Sequence, residues 1–237
     1  MWITKTGKDF LLNTIFPKFC FLCKKEGNYF CQDCQGTIEV NEHFYCLCQE
    51  PIRLPKLGKC RKCQKKELSG LYFGTAYQNN LIKKLIQNFK YEPFIKELKG
   101  VLTGFITASF TLTQEDKDFF TDFLLIPIPL DKKRVRWRGF NQAEEIAKEL
   151  SGFLNIPLLN DVLIKTKTTL PQVELSGRNR EENIKGVFLI NNAEEVKGKK
   201  IFLIDDIYTT GATMEEAAKI LKQGGAKQVF GVVVARG

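Results

Sequence analysis

The 237-residue sequence predicts an α/β domain built on a mostly parallel sheet, preceded by a cysteine-rich zinc-binding module. Three observations carry this. All eight cysteines lie between Cys20 and Cys63, largely as Cys-x-x-Cys pairs, and none follows in the remaining 174 residues. From residue 69 onward, segments of helical periodicity alternate with short apolar runs, and the later runs are continuous, as strands covered on both faces are. Finally, "IFLIDDIYTTGAT" (201–213) joins an apolar run to two aspartates, and then to a Thr-Thr-Gly turn leading into a helix. The change of character at Ser69-Gly70 divides the chain into residues 1–68 and 69–237.

Taken in order, residues 9–16 read as one or two amphipathic helical turns stopped by Pro17. The cysteines follow. "LYFGTAY" (71–77) reads as a strand. Residues 79–91 read as a helix, with Leu81, Ile82, Leu85, Ile86 and Phe89 at helical spacing. A second helix follows Pro93 and runs to about Phe110. "DFLLIPIPL" (122–130) is a buried-type strand closing on prolines, and 140–154 is a helix with Ile146, Ala147 and Leu150 inward. Residues 158–165 read as a strand, and 166–185 as a long polar segment. "GVFLI", "KKIFLID" and "KQVFGVVVA" are three further strands, and 212–225 is a helix stopped by glycine.

Hydrophobic residues at 43% and charged residues at 27% match an ordinary globular balance. No apolar run reaches the roughly 18 residues a membrane helix needs, and the first twenty residues contain no h-region of signal-peptide length. The expectation is a cytoplasmic protein without a membrane span. In a reducing compartment, clustered Cys-x-x-Cys pairs indicate zinc rather than disulfides. The formal net charge of +9 would fall to about +5 with two tetrathiolate zinc centres, each of net charge −2. The global charge therefore says little about nucleic acid, and the local distribution matters more.

Cys20-x2-Cys23 and Cys31-x2-Cys34 form two knuckles, enough to hold one tetrahedral zinc through four sulfurs. Cys46-x-Cys48 with Cys60-x2-Cys63 offers a second, less regular set. Its first pair is one residue short, which leaves either a strained ligand pair or a single ligand. Four thiolates leave no open position for water, so neither set reads as catalytic. His43, the single histidine, reads as a surface residue.

The Asp-Asp turn reads as a phosphate–sugar site. The carboxyl edge of a parallel strand is where α/β folds bind ligands. The following helix presents unpaired N–H groups and a positive dipole end. Gly211 allows close approach, Thr209, Thr210 and Thr213 add hydroxyls, and Ala212 lies between them. Carboxylates repel phosphate, so Asp205 and Asp206 must face something else. Vicinal ribose hydroxyls donate to carboxylates, and Mg²⁺ can bridge the rest. Neither GxxxxGK[ST] nor GxGxxG occurs in the sequence.

Residues 132–138 place Lys132, Lys133, Arg134, Arg136 and Arg138 around Trp137. Read as a basic loop, they suit pyrophosphate, or a single-stranded DNA backbone with Trp137 and Phe140 stacking on bases. Asn141 and Gln142 open the next helix, where their amides can meet a ligand. Gln172, Arg180 and Asn183 mark the 166–185 segment as a flap over the site.

"LIDDIYTTGAT" resembles the PRPP-binding motif of the type I phosphoribosyltransferases. With "FPKFCFLC", "CQDC", "FKY" (89–91), "PIPLDKKRVRWRGFNQA" (127–143) and "PQVELSGRNREENIKGVF" (171–188), most of the chain resembles the ComF/ComFC competence family. The resemblance implies a type I phosphoribosyltransferase-like sheet behind a double zinc ribbon, and a pocket for PRPP with Mg²⁺. It also implies a role in natural transformation, in handling incoming single-stranded DNA. Two departures stand out: the compressed Cys46/Cys48 pair, and Asn179 in place of an acidic residue before Arg180. Two readings of function follow. If the chain is an enzyme, Asp205 and Asp206 assist displacement at ribose C1 with loss of pyrophosphate, steadied by Lys132, Arg134 or Arg138. The alternative is a non-catalytic DNA-binding protein, or an adaptor recruiting a competence helicase through its zinc module.

Overall fold

The computed structural model describes residues 17–113, 117–166 and 184–237. The predicted helical turns at 9–16 and the flap residues Gln172, Arg180 and Asn183 lie outside them. The chain divides into two compact units, residues 1–39 and 40–237. The second cysteine set therefore shares a unit with the sheet, and the composition change at 68/69 falls inside that unit.

In the smaller unit, the first knuckle turns back on itself. Cys20 N–H donates to Lys25 O at 2.9 Å, and Lys24, at φ +63°, donates to Cys20 O. Cys31 then serves as N-cap of the single-turn helix α1 (Gln32–Gln35).

The larger unit is built on a six-stranded sheet ordered β2-β1-β3-β8-β7-β4. The strands are β1 (Phe44–Tyr45), β2 (Arg53–Leu54), β3 (Gly70–Ala76), β4 (Phe123–Pro127), β7 (Lys200–Tyr208) and β8 (Gln228–Arg236). The β3/β8, β8/β7 and β7/β4 pairs are parallel, and the short β1 and β2 add an antiparallel edge. A separate antiparallel pair, β5 (Leu163–Lys165) with β6 (Phe188–Ile190), flanks residues 167–183. Strand β5 is shorter than the predicted 158–165. Leu158 makes only an isolated bridge to Leu125.

Helices cover both faces. Successive side chains on a strand point to opposite faces. Leu71, Phe73, Ile201, Leu203, Val229 and Val233 share one apolar cluster with Met214, Ala217, Ala218 and Leu221 of α6 (Ala212–Gln223). Tyr72 and Phe202 face the other side, where their rings lie 4.5 and 5.8 Å from Phe110 of α3 (Leu98–Leu112). Helix α3 approaches β3 so closely that a Cβ on Gly74 would lie 2.7 Å from the Phe105 backbone.

The helices form where the periodicity places them. In α2 (Asn80–Lys90), Ile82, Leu85, Ile86 and Phe89 are buried, and the Asn79 side chain caps Leu81 N and Ile82 N. In α5 (Gln142–Leu154), Ile146, Ala147 and Leu150 are buried. Two features differ from the sequence reading. Residues 132–138 are not a loop but a two-turn helix, α4 (Lys132–Arg138). Asp131 caps it through Arg134 N at 3.0 Å, and Gly139 ends it at φ +82°. These two caps outweigh the mutual repulsion of five cations. Strand β7 also does not end at Asp205-Asp206. It runs on to Tyr208, because β8 pairs alongside it as far as Tyr208↔Arg236.

Candidate functional site

The site forms where the sheet splits. Strand β4 pairs with β7 only as far as Pro127↔Ile204, and Ile128 N–H donates a last bond to Ile204 O at 2.9 Å. Strand β7 continues four residues further. The β4 chain turns away into Asp131 and α4, opening a crevice at the carboxyl ends of the strands. Asp205 and Asp206 line it from β7. With β4 no longer paired alongside β7 here, Asp206 N–H is satisfied by Asp205 Oδ1 at 2.9 Å.

The two carboxylates are held differently. Asp206 is buried, and the Lys90 ammonium, from the last turn of α2, lies 2.5 Å from its Oδ2. Asp205 is half-buried. Burial pushes its carboxyl up to about 6, while Lys90, Lys165 and Arg138 pull it back down. Burial also lowers Lys90 to about 8, even though Asp205 favours its charge. Lys165, at the end of β5, is lowered by burial with Arg134 adding to the effect. The crevice thus collects two carboxylates and several cations whose charges are poorly hydrated, a poised arrangement typical of ligand sites.

The Thr209–Thr213 turn follows. Gly211 is the N-cap of α6 at φ +79°, and a Cβ there would collide with the Tyr208 hydroxyl oxygen, so only glycine fits. Thr210 Oγ1 accepts from Ala212 N at 3.4 Å. Thr209 is exposed, while Thr210, Ala212 and Thr213 are half-buried.

The basic segment is split by its helical form. Arg138 is buried and donates to Gln142 Oε1, and its guanidinium lies 5.8 Å from the Tyr91 ring. Arg134 folds back on Asp131, with Nε 3.4 Å from Oδ2. Lys132, Lys133, Arg136 and Trp137 face outward. Asn141 is engaged structurally at both ends of its amide, accepting from Ala143 N and donating to Ile128 O at 3.0 Å. Phe140 does not offer a stacking face as expected. It is buried against Phe89, ring centres 5.2 Å apart. Its place beside Trp137 is taken by Phe94 (4.8 Å, edge-on) and Tyr91 (6.2 Å). Trp137 is 53% and Tyr91 44% exposed.

Sequence reasoning assigned no role to Lys90, Lys165, Tyr91 or Phe94. Lys90 and Tyr91 lay within the quoted "FKY", but a lysine closing an amphipathic helix carries no local sign of a carboxylate partner more than a hundred residues away.

Both cysteine sets close into clusters. The sulfurs of Cys20, Cys23, Cys31 and Cys34 lie within 4.8 Å of one another, and so do those of Cys46, Cys48, Cys60 and Cys63. Cys48–Cys60 and Cys60–Cys63 sulfurs are 3.4 and 3.5 Å apart, and Cys23–Cys31 sulfurs 3.6 Å. Such spacing suits four sulfurs around one ion with bonds of about 2.3 Å. The compressed Cys46-x-Cys48 pair brings both sulfurs inward, so each set has the four donors a structural zinc requires. His43 is exposed and joins neither.

Comparison with known proteins shows the family. Residues 135–237 match the phosphoribosyl transferase domain family. Competence protein ComFC of Streptococcus pneumoniae (strain ATCC BAA-255 / R6) is 30% identical over 88% of this chain and 88% of its own length. The chain belongs to the ComFC family of competence proteins. Competence protein F of Haemophilus influenzae (strain ATCC 51907 / DSM 11121 / KW20 / Rd) is 28% identical over 85% of this chain and 94% of its own. The DNA utilization protein YhgH of Escherichia coli (strain K12) is 33% identical over 44% of this chain and 45% of its own. As in the type I phosphoribosyltransferase-like fold, this chain carries a mostly parallel sheet, with cysteine clusters compatible with zinc ribbons before it in the sequence. Among the described residues, no helix is long and apolar enough to cross a membrane.

Proposed function

We propose that the chain binds PRPP with Mg²⁺ in the crevice between β4 and β7 and grips single-stranded DNA with the outer face of α4, acting in the cytoplasm during DNA uptake. The observation that carries the first half is the pairing of two adjacent carboxylates, Asp206 buried and Asp205 half-buried, with a glycine-capped helix N-terminus a few residues further along the same chain. The 5′-phosphate lies on the Thr209–Thr213 turn, where N–H groups and the helix dipole attract an anion. The ribose hydroxyls donate to Asp205 and Asp206, which also offer oxygen ligands suited to Mg²⁺. The ammonium of Lys90 occupies Asp206 in the free protein and moves toward the pyrophosphate when the ligand enters. Arg138, braced by Gln142, faces the same group. Displacement at ribose C1 suits these charges: carboxylates beside the developing sugar cation, cations beside the leaving pyrophosphate.

The relatives' names, competence protein and DNA utilization protein, support the second half. So do the outward cations and exposed rings of α4 and its neighbours, which combine phosphate contacts with stacking surfaces. Calorimetry with Mg-PRPP tests the pocket. Replacing Asp205 and Asp206 together by Asn removes charge-assisted hydrogen bonds worth about 1.5–3 kcal/mol each, so affinity should drop at least about tenfold. Undiminished binding would refute the ribose assignment. Pyrophosphate release from bound PRPP, with single-stranded DNA as candidate acceptor, separates an enzyme from a binding factor.

A further inference from the structure

We propose that the second cysteine centre positions the phosphate-binding turn, with Arg236 and Glu215 as the positioning residues that join the two. The inference rests on the reading of 209–213 as a phosphate site, but its physical basis is independent of any ligand.

Arg236 ends β8 and is buried. Its Nη1 donates to Cys46 O at 2.6 Å, and its Nη2 donates to Cys48 O. One planar guanidinium therefore spans both carbonyls of the compressed Cys-x-Cys pair, the pair whose spacing departs from a regular knuckle. The same guanidinium lies 5.5 Å from the Tyr208 ring centre and 5.8 Å from that of Phe73. Tyr208 is the last residue of β7, and its ring abuts Gly211 so tightly that no side chain fits there. A continuous path of contacts thus runs from Cys46 and Cys48 through Arg236 and Tyr208 to the glycine of the turn.

A second path reaches the far side of the turn. Lys66 N–H donates to Cys63 O at 3.0 Å, and the next residue, Glu67, donates its N–H to Glu215 Oε2 at 2.6 Å. Glu215 is the fourth residue of α6, and its own N–H donates to Gly211 O at 2.8 Å. The buried Tyr208 hydroxyl and Glu215 Oε1 have no hydrogen-bond partner among the described residues, so their places are set by packing and by these two paths. Groups that hold metal ligands from behind govern both ligand geometry and metal retention. A cation beside a tetrathiolate centre of net charge −2 adds attraction. Losing the ion would free the short pair, release Arg236, and let Tyr208 leave Gly211.

The test uses the full-length, zinc-loaded protein without PRPP. Chelator-driven zinc loss is followed by thiol labelling of Cys60 and Cys63, with Cys31 and Cys34 of the first centre as internal reference. Amide hydrogen exchange is read across 209–215. Arg236→Lys keeps the charge but cannot span two carbonyls. It should speed zinc loss from the second centre about tenfold, leave the first unchanged, and raise exchange at 209–215. Glu215→Gln should raise exchange at 212–215 without loosening zinc. The proposal is overturned if Arg236→Lys releases both ions at wild-type rates, or if exchange at 209–215 stays unchanged once the second ion has left. Mg-PRPP calorimetry on wild type keeps the two ideas apart: absence of binding there defeats the ligand assignment while leaving the coupling intact.

Discussion

Asp205 and Lys90 are both shifted by burial, in opposite directions, and the Asp205 shift predicts a pH dependence. The folded-state value of Asp205, about 6, lies above its ordinary 3.8. Protonation therefore favours the folded chain. This contribution is complete below pH 3.8 and lost as pH rises through 6. At pH 7 the charged, half-buried carboxylate is a standing cost, so Asp205→Asn should raise the melting temperature of the ligand-free protein by about 2–4 °C per kcal/mol relieved. The gain should vanish as pH is lowered toward 4. Differential scanning fluorimetry at pH 7 and pH 4.5 measures it, and an equal gain at both would show that Asp205 is not the source. Ligand binding should show the opposite trend. In the proposed binding mode ribose hydroxyls and Mg²⁺ need the carboxylate, so PRPP affinity should fall by about tenfold between pH 7 and pH 5, one unit below the Asp205 value. The ligand's own phosphates titrate near 6 as well. The protein's share is therefore the part of the fall that Asp205→Asn abolishes.

At the scale of elements, α4 separates what the sequence disclosed from what it did not. Helices α2 and α5 were legible because their apolar positions recur at helical spacing and, apart from the half-buried Leu81, end up buried as spaced. Helix α4 has almost no apolar residue, so periodicity was silent, and its high charge density argued for a loop. Its real signals were the flanking Asp131 and Gly139, cap residues eight positions apart. The site divided in the same way. The Asp-Asp pair, the Thr209–Thr213 turn and the cysteine sets are contiguous or regularly spaced motifs, so which of their residues lie together was legible from the sequence. Lys90 on Asp206 and Arg236 on the Cys46 and Cys48 carbonyls are tertiary contacts between distant segments, and no local pattern encodes them. The helical form also sharpens the DNA test. Lys132, Lys133 and Arg136 are the outward cations, whereas Arg134 and Arg138 are committed inward. Replacing the three outward residues should flatten the salt dependence of single-stranded oligonucleotide binding by about 2 log units per log unit of salt, at about 0.7 per contact. Trp137→Ala should weaken binding by roughly 1–3 kcal/mol and leave the slope unchanged, because stacking releases no counterions. Fluorescence anisotropy across a salt series reads both, and an unaltered slope in the triple variant would remove α4 from the DNA interface.

For the whole molecule, the two cysteine centres differ in what they support. The first stands in the 1–39 unit. A segment of that size has little core of its own, and a structural zinc contributes on the order of 10–16 kcal/mol to folding such pieces. The second is part of a larger core. Cys46 and Cys63 are fully buried in the same apolar cluster as Leu71, Tyr208, Met214 and Leu203. Metal analysis of protein purified without chelator should find two zinc ions per chain. Cys34→Ser should remove one and leave the main thermal transition of the sheet-bearing unit nearly in place, because the cluster it disrupts belongs to the other unit. Cys63→Ser should also remove one ion but lower that main transition by roughly 6–12 °C, as expected from about 3 kcal/mol in a domain of this size. It places an unligated polar group inside the core and releases the short Cys46-x-Cys48 pair from the ion that fixes it. Calorimetry of the two variants side by side makes the comparison. Equal shifts in the main transition would mean that the second centre is no more integral to the sheet than the first, whereas a large shift for Cys63→Ser alone would place the metal inside the architecture that holds the Asp-Asp crevice.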